Sequence, residues 1–96
     1  MDDYEELVEI FAQTTSKKEM NKLFEEIFTQ REKYDFALRW RLMKEIYQGT
    51  TQRDIASQLG ISLCKITRGS RILKDEHSQV KKLLEERDHG KERKTE

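Results

Sequence analysis

The sequence lacks several features that larger classes of protein require. It has one cysteine among 96 residues, which excludes an intrachain disulfide framework and favours a reducing, cytoplasmic compartment. No apolar run approaches the roughly 20 residues of a membrane-spanning helix. The acidic start, MDDYEEL, does not have the basic and then apolar pattern of a secretory signal, so we expect none. These absences exclude membrane proteins and disulfide scaffolds.

Hydrophobic residues are also scarce, at 34% of the chain against 40% charged residues. A chain this short predicts one domain, 1–96, which buries only about 60% of the surface of its unfolded state. Its stability is then marginal, and we expect either a partner subunit or unusually good helix packing. A multidomain enzyme is excluded.

The net charge is zero, but the charges are unevenly distributed. Residues 1–15 hold five acids and no base, whereas residues 39–74 hold eight bases and two acids. A local basic surface is the electrostatic footprint of nucleic-acid binding. The alternative is a solvated helix face with spare basic residues.

The absence of proline and the spacing of apolar residues predict an all-α chain. Capping residues stand where each helix would begin. The first predicted helix carries an apolar stripe at 4–11, and the second begins at Ser16. The third runs from Thr29 to about Gln48 and is ended by Gly49. The fourth runs from Thr51 to Leu59, the fifth from Ser62 to about Lys74, and the sixth begins at Ser78. The third carries an apolar belt wider than one neighbouring helix can cover. The polar tail, 88–96, is expected to fray.

The fourth and fifth helices, at about 51–74, have the pattern of a helix-turn-helix. Such a motif needs a small residue where the helices cross, here Ala56, and a glycine in the turn, here Gly60. Four aliphatic residues would pack inside it, namely Ile55, Leu59, Ile61 and Ile66. Six polar residues could face DNA, namely Gln52, Arg53, Lys65, Thr67, Arg68 and Arg71. The alternative is an ordinary helical hairpin.

The segment Ile66-Thr67-Arg68-Gly69-Ser70, followed by Leu73-Lys74, resembles the signature of the tryptophan repressor family. The resemblance extends over about residues 20–75, through Thr51-Gln52-Arg53 and Leu59-Gly60. It implies an intertwined homodimer of six-helix subunits, each with a helix-turn-helix. It further implies a repressor of tryptophan-biosynthesis operons with L-tryptophan as corepressor, and no other cofactor. Dimerisation suits DNA binding, because two recognition helices about 34 Å apart reach successive major grooves.

The resemblance also implies roles for individual residues. Arg39 and Arg68 would sandwich the indole, with Arg68 and the Thr29 hydroxyl on the carboxylate, and Gly69 would leave room for the ring. Main-chain carbonyls of Glu26 and Phe28 of the partner subunit would receive the ammonium, near Ile72. Arginine suits this task because it pairs with carboxylates and stacks on rings. The expected DNA-binding residues are Gln52, Arg53, Leu63, Cys64, Lys65, Thr67, Arg68, Arg71 and Lys74.

The chain departs from the family pattern at four places. Ile72 replaces a serine near the ligand ammonium, which puts the identity of the ligand in question. Cys64-Lys65 replaces an Ala-Thr pair at the start of the recognition helix, and Ala56 replaces a phosphate-contacting lysine, so the operator sequence is expected to differ. One residue is missing near Gly49-Thr50.

Two other functions stay open. One is a related DNA-binding protein with a different effector or none, which Ile72 favours. The other is an interaction protein that uses its helical belt, with incidental basic charge. Catalytic and metal functions are not expected, because no catalytic constellation stands out and His77 and His89 lie apart without a neighbouring cysteine. Cys64 alone has no resolving partner for redox sensing.

Overall fold

A computed structural model describes the backbone of residues 2–95 and the side chains of residues 2–88. The described backbone forms six α-helices and no strand. They are α1 (Asp3–Gln13), α2 (Lys17–Ile27), α3 (Gln30–Tyr47), α4 (Gln52–Leu59), α5 (Leu63–Lys74) and α6 (Gln79–Thr95). The predicted all-α class and the six predicted helices are therefore confirmed.

Side-chain caps begin most of these helices, because the first backbone N–H groups of a helix have no partner inside it. Thr29 and Glu32 form a reciprocal capping box at α3. The Thr29 hydroxyl accepts from the Glu32 N–H at 3.1 Å, and the Glu32 carboxylate accepts from the Thr29 N–H at 2.9 Å. Ser16, Thr51, Ser62 and Ser78 cap α2, α4, α5 and α6 at 3.2–3.3 Å. The predicted helix starts are correct.

The chain divides into two compact units, residues 1–35 and 36–96. In the first unit, Phe11, Phe24 and Phe28 form an aromatic cluster with ring centroids 5.1–6.2 Å apart. Lys33 pairs with Glu25 at 2.6 Å. None of the side chains described in α1 and α2 is buried. This unit has apolar contacts but no buried core of its own.

The second unit contains the buried core, formed where α4 and α5 pack against the later part of α3. Leu42, Ile55 and Ile66 are 0–5% exposed, and Ile46, Ala56, Leu59 and Ile61 pack around them. These include the four aliphatic residues and the small residue predicted to pack inside the α4–α5 pair. Leu84 of α6 is also buried, at 5% exposure.

Residues 60–62 join α4 to α5 in a tight turn. Gly60 has φ +63° and ψ +32°, the left-handed conformation, and its N–H donates to the Ala56 carbonyl at 3.0 Å. Gly49 similarly has φ +90° just beyond α3. Glycine suits both positions because a side chain makes positive φ costly.

The backbone of α6 is helical as far as Thr95. It therefore includes most of the tail, 88–96, for which fraying is expected, and that expectation stays a prediction. Within the described part of the chain, no helix combines the length and the apolar character that a membrane crossing requires.

Replacing Gly60 with alanine should lower the free energy of unfolding by roughly 1 kcal/mol. The reason is that the left-handed conformation is unfavourable for a residue with a Cβ atom. Its methyl group would meet no atom within 4 Å, so the cost comes from the backbone alone. Gly60→Asn should cost less, since asparagine tolerates this conformation. Urea unfolding at one fixed protein concentration measures the change. Ser57→Ala, at an exposed position of α4, is the control, and equal losses in both alanine variants would contradict this account.

Candidate ligand cavity and nucleic-acid interface

A cavity of about 280 Å³ lies between α3 and α5 in the second unit. Its volume is close to the lower end of the range of small-molecule sites, about 300–1,000 Å³. Helix α3 contributes Arg39, Leu42 and Met43, and helix α5 contributes Lys65, Arg68, Gly69 and Ile72. The wall thus combines aliphatic and thioether surface with three cationic side chains. Such a wall suits a ligand with a flat apolar body and an acid group.

Helical geometry explains why α5 presents these four residues together. Successive residues of an α-helix turn by about 100°, so Lys65, Arg68, Gly69 and Ile72 fall within an arc of about 100°. Ile66, between them in sequence, faces the buried core instead. On α3, Arg39 and Met43 are four residues apart and lie on one face for the same reason.

Gly69 sets how closely α5 packs on α3. An alanine methyl carbon at this position would lie 2.8 Å from Ile46 Cδ1 and 3.6 Å from Leu42 Cδ2. The resemblance assigns Gly69 to making room for a ligand ring. The structure adds a second constraint, because a side chain here would already press on Ile46 without any ligand.

The structure brings together four residues of the expected ligand set, namely Arg39, Arg68, Gly69 and Ile72. The other three belong to the first unit. Thr29 is the cap of α3, Phe28 follows α2 and belongs to the aromatic cluster, and Glu26 lines a groove between α1 and α2 with Ile10 and Leu23.

Three residues of this cavity, Lys65, Leu42 and Met43, do not belong to the expected ligand set. Leu42 and Met43 lie within the third predicted helix, and Lys65 belongs to the expected DNA-binding residues. The available signal for Lys65 was its spacing of three from Arg68 and seven from Ile72, which places all three on one helix face. The spacing alone does not predict which helix packs opposite these three residues.

The expected DNA-binding side chains are exposed in the structure. Leu63, at the start of α5, is 59% exposed despite its apolar character. Cys64, Thr67, Arg71 and Lys74 fall within an arc of about 80° on the side of α5 away from the cavity. Arg71 and Lys74 lie in its last turn. Helix α5 therefore has a core side, a cavity side and an outward polar side.

Ala56, where the resemblance expects a phosphate-contacting lysine, is partly buried against the core. The position therefore has no lysine to contact phosphate, and its small side chain packs against the buried cluster instead. This agrees with the packing role expected for Ala56 from the pattern of the two helices.

A small polar network holds the turn before α4, and sequence reasoning missed it. The Glu45 carboxylate, 13% exposed, accepts from Arg41 Nε at 3.1 Å and from the Thr50 hydroxyl at 3.0 Å. The Thr50 N–H also donates to the Glu45 carbonyl at 3.0 Å. These bonds fix the loop at Gly49-Thr50, which joins α3 to α4.

Among the described residues, no group of three or more His, Cys, Asp or Glu side chains is placed to bind a metal ion. His89 lies outside the residues whose side chains are described.

The comparisons with known proteins agree on one family. The family described as Trp repressor protein matches residues 2–88. A Trp operon repressor homolog of Xylella fastidiosa (strain M23) is 38% identical over 73 residues, which cover 75% of this chain and 79% of the relative. A homolog from Chlamydia trachomatis serovar L2 is 34% identical over 80 residues, covering 78% of this chain and 85% of the relative. No solved structure matches at a significant level.

A more distant relative extends the agreement over more of the chain. The Trp operon repressor homolog of Vibrio parahaemolyticus is 29% identical over 89 residues, covering 88% of this chain and 86% of the relative. The family is one of regulatory DNA-binding proteins and not of enzymes. Since the family match extends over residues 2–88, which include all of α1 to α5, the chain belongs to the Trp repressor family.

Proposed function

We propose that this protein is a tryptophan-dependent transcriptional repressor, with L-tryptophan as corepressor. The observation that carries the proposal is the cavity between α3 and α5, with Arg39 on one wall and Arg68 and Gly69 on the other. A ligand in this cavity touches the same helix whose outward side carries Thr67, Arg71 and Lys74. Ligand binding and the orientation of that helix are therefore physically linked.

The cavity suits an aromatic amino acid. Two guanidinium groups from facing helices can stack on the two faces of an indole, and Arg68 can also pair with the carboxylate. Leu42 and Met43 supply apolar surface for the ring edge. The Thr29 hydroxyl accepts the N–H of Glu32 and still has its own O–H to donate to a carboxylate. In this proposal, the carbonyls of Glu26 and Phe28 of the partner subunit receive the ammonium.

We propose that α4 and α5 act as a helix-turn-helix, with α5 as the recognition helix. The exposed residues at its start, Leu63, Cys64 and Lys65, would approach base edges, with Thr67 beside them. Arg68, Arg71 and Lys74 would contact phosphates, together with Gln52 and Arg53 of α4. The operator in this proposal is a palindrome that controls tryptophan-metabolism genes, and the protein acts in the cytoplasm.

The mechanism is allosteric in a defined sense. Tryptophan activates the repressor only if it binds the DNA-competent spacing of the two recognition helices better than other spacings. A ligand wedged between α3 and α5 changes the separation of these helices, and with it the tilt of α5. The two recognition helices of a dimer would then lie about 34 Å apart, at successive major grooves.

The proposed homodimer is supported by the apolar surface of the first unit. No described residue of α1 or α2 is buried, although Val8, Ile10 and Ile27 are large apolar residues that are 43–48% exposed. These exposed apolar side chains offer surface that a partner could cover. A second copy of the chain is the partner that a palindromic operator also requires.

A second candidate function is favoured by Ile72, which lines the cavity where the family pattern has a serine. An aliphatic side chain cannot accept a hydrogen bond from an ammonium group. The alternative is a Trp-repressor-like DNA-binding protein that answers a different effector or none. Salt-dependent, sequence-specific DNA binding would still separate either repressor from a simple interaction protein.

We expect a dimer in solution, because the apolar surface of α1 and α2 needs a cover. Light scattering at micromolar concentration should give about twice the mass of one chain, and the value should persist in the absence of tryptophan. A monomer mass under these conditions would refute the dimer.

Titration of L-tryptophan into the protein by calorimetry tests the proposed ligand directly, because it needs no knowledge of the operator. Binding near one molecule per subunit is the expected result. No detectable heat, with no binding in equilibrium dialysis, would reject tryptophan and leave the second candidate function.

Arg68→Ala should abolish tryptophan binding and the tryptophan-induced increase in DNA affinity, because Arg68 lines the cavity and lies on the recognition helix. Arg71→Ala is the matched control. Arg71 is three residues further on α5 and exposed, but it is not part of the cavity wall. It should retain tryptophan binding and lose DNA affinity whether or not tryptophan is present. If Arg68→Ala still responds to tryptophan in operator binding, the shared-site mechanism fails.

A further inference from the structure

The charged side chains that line the cavity are all positive. Three of its lining residues are cationic, Arg39, Lys65 and Arg68, and none of those that line it among the described residues is acidic. The two arginines match the family pattern, but Lys65 stands where that pattern has an uncharged threonine. This chain therefore adds a cation to its own ligand cavity.

Lys65 and Arg68 lie one turn apart on the cavity side of α5. Residues three apart on a helix are neighbours, so an ammonium and a guanidinium approach the cavity from the same wall. Lys65 also lies in the first turn of α5, where its backbone N–H donates to the Ser62 hydroxyl at 3.3 Å. The first turn carries the positive end of the helix dipole, and α5 has no acidic residue there to offset it. The helix dipole therefore adds to the lysine charge at the Lys65 end of the cavity, which favours an anion there.

We propose that Lys65 binds the acid group of the ligand together with Arg68, so that this cavity holds an aromatic carboxylate through two cations of one helix. The inference rests on the proposed function, because it places the ligand in the same cavity. It gives Lys65 a role at the ligand in addition to the contact with base edges proposed above, whereas the sequence pattern indicates a DNA contact alone. Lys65 becomes a residue that determines ligand specificity in this chain.

The outward side of α5 supports this division of roles. Lys74 lies about 180° around the helix from Lys65, outside the cavity wall, and is exposed. It offers the same charge on the same helix without access to the cavity. Lys74→Gln is therefore a control for any general effect of removing a positive charge from α5.

The test is calorimetry without DNA, so that a DNA contact of Lys65 does not affect the result. The ligands are L-tryptophan and indole-3-propionate, which keeps the ring and the carboxylate but has no ammonium. Lys65→Gln should weaken both by about fivefold, the upper end of the range for one ion pair at an exposed position. Lys65→Arg and Lys74→Gln should stay within about twofold of the wild type. Equal melting temperatures of the variants would show that the fold is unchanged.

The outcomes separate this inference from the proposed function. If tryptophan binds the wild type and Lys65→Gln equally well, Lys65 is not a ligand residue, while the proposed corepressor stands. If only indole-3-propionate binds, and Lys65→Gln weakens it, the role of Lys65 is supported and tryptophan is rejected as the ligand. If neither compound binds the wild type, both proposals are overturned.

Discussion

The packing of α5 onto α3 at Gly69 is the contact on which the other features of the second unit depend. Since Gly69 has no side chain, α5 can lie against Ile46 and Leu42, and an added methyl carbon would come within 2.8 Å of Ile46. This close approach places Arg68 on the wall of the cavity that Arg39 also lines. It also anchors the helix whose outward side is exposed. A ligand between these helices acts on the same contact that orients that side.

The small core is the physical reason for proposing that the chain needs a partner subunit. Three of the nearly inaccessible residues, Leu42, Ile55 and Ile66, lie where α4 and α5 meet α3, and α1 and α2 have none among their described residues. A chain of this length gains little stability from such a core alone. In the proposed dimer, the surface of the first unit is buried by the second copy. Folding, assembly and the proposed function then share the limited number of apolar residues in the chain.

The basic residues of α5 lie on two different surfaces of that helix. The chain is neutral as a whole, yet α5 carries four basic residues and no acidic one. Their angular positions divide them, because Lys65 and Arg68 reach the cavity while Arg71 and Lys74 point away from it. The family membership accounts for regulatory DNA binding, and Lys65 is a third cation on the cavity wall beside Arg39 and Arg68. A difference in ligand preference between relatives can arise from such a position without a change of fold.

The sequence alone determined the local structure, because helix starts and ends depend on neighbouring residues. The caps at Ser16, Thr29, Thr51, Ser62 and Ser78 and the glycines at 49 and 60 stand where the sequence predicts them. The packing of Ile55 and Ile66 followed from the spacing within the α4–α5 pair. The tertiary structure decided which helix faces which, and therefore that Lys65 lies across the cavity from α3 and that Glu45 holds Thr50. Periodicity places a residue on a helix face, but only the packing of one helix on another determines what that face meets.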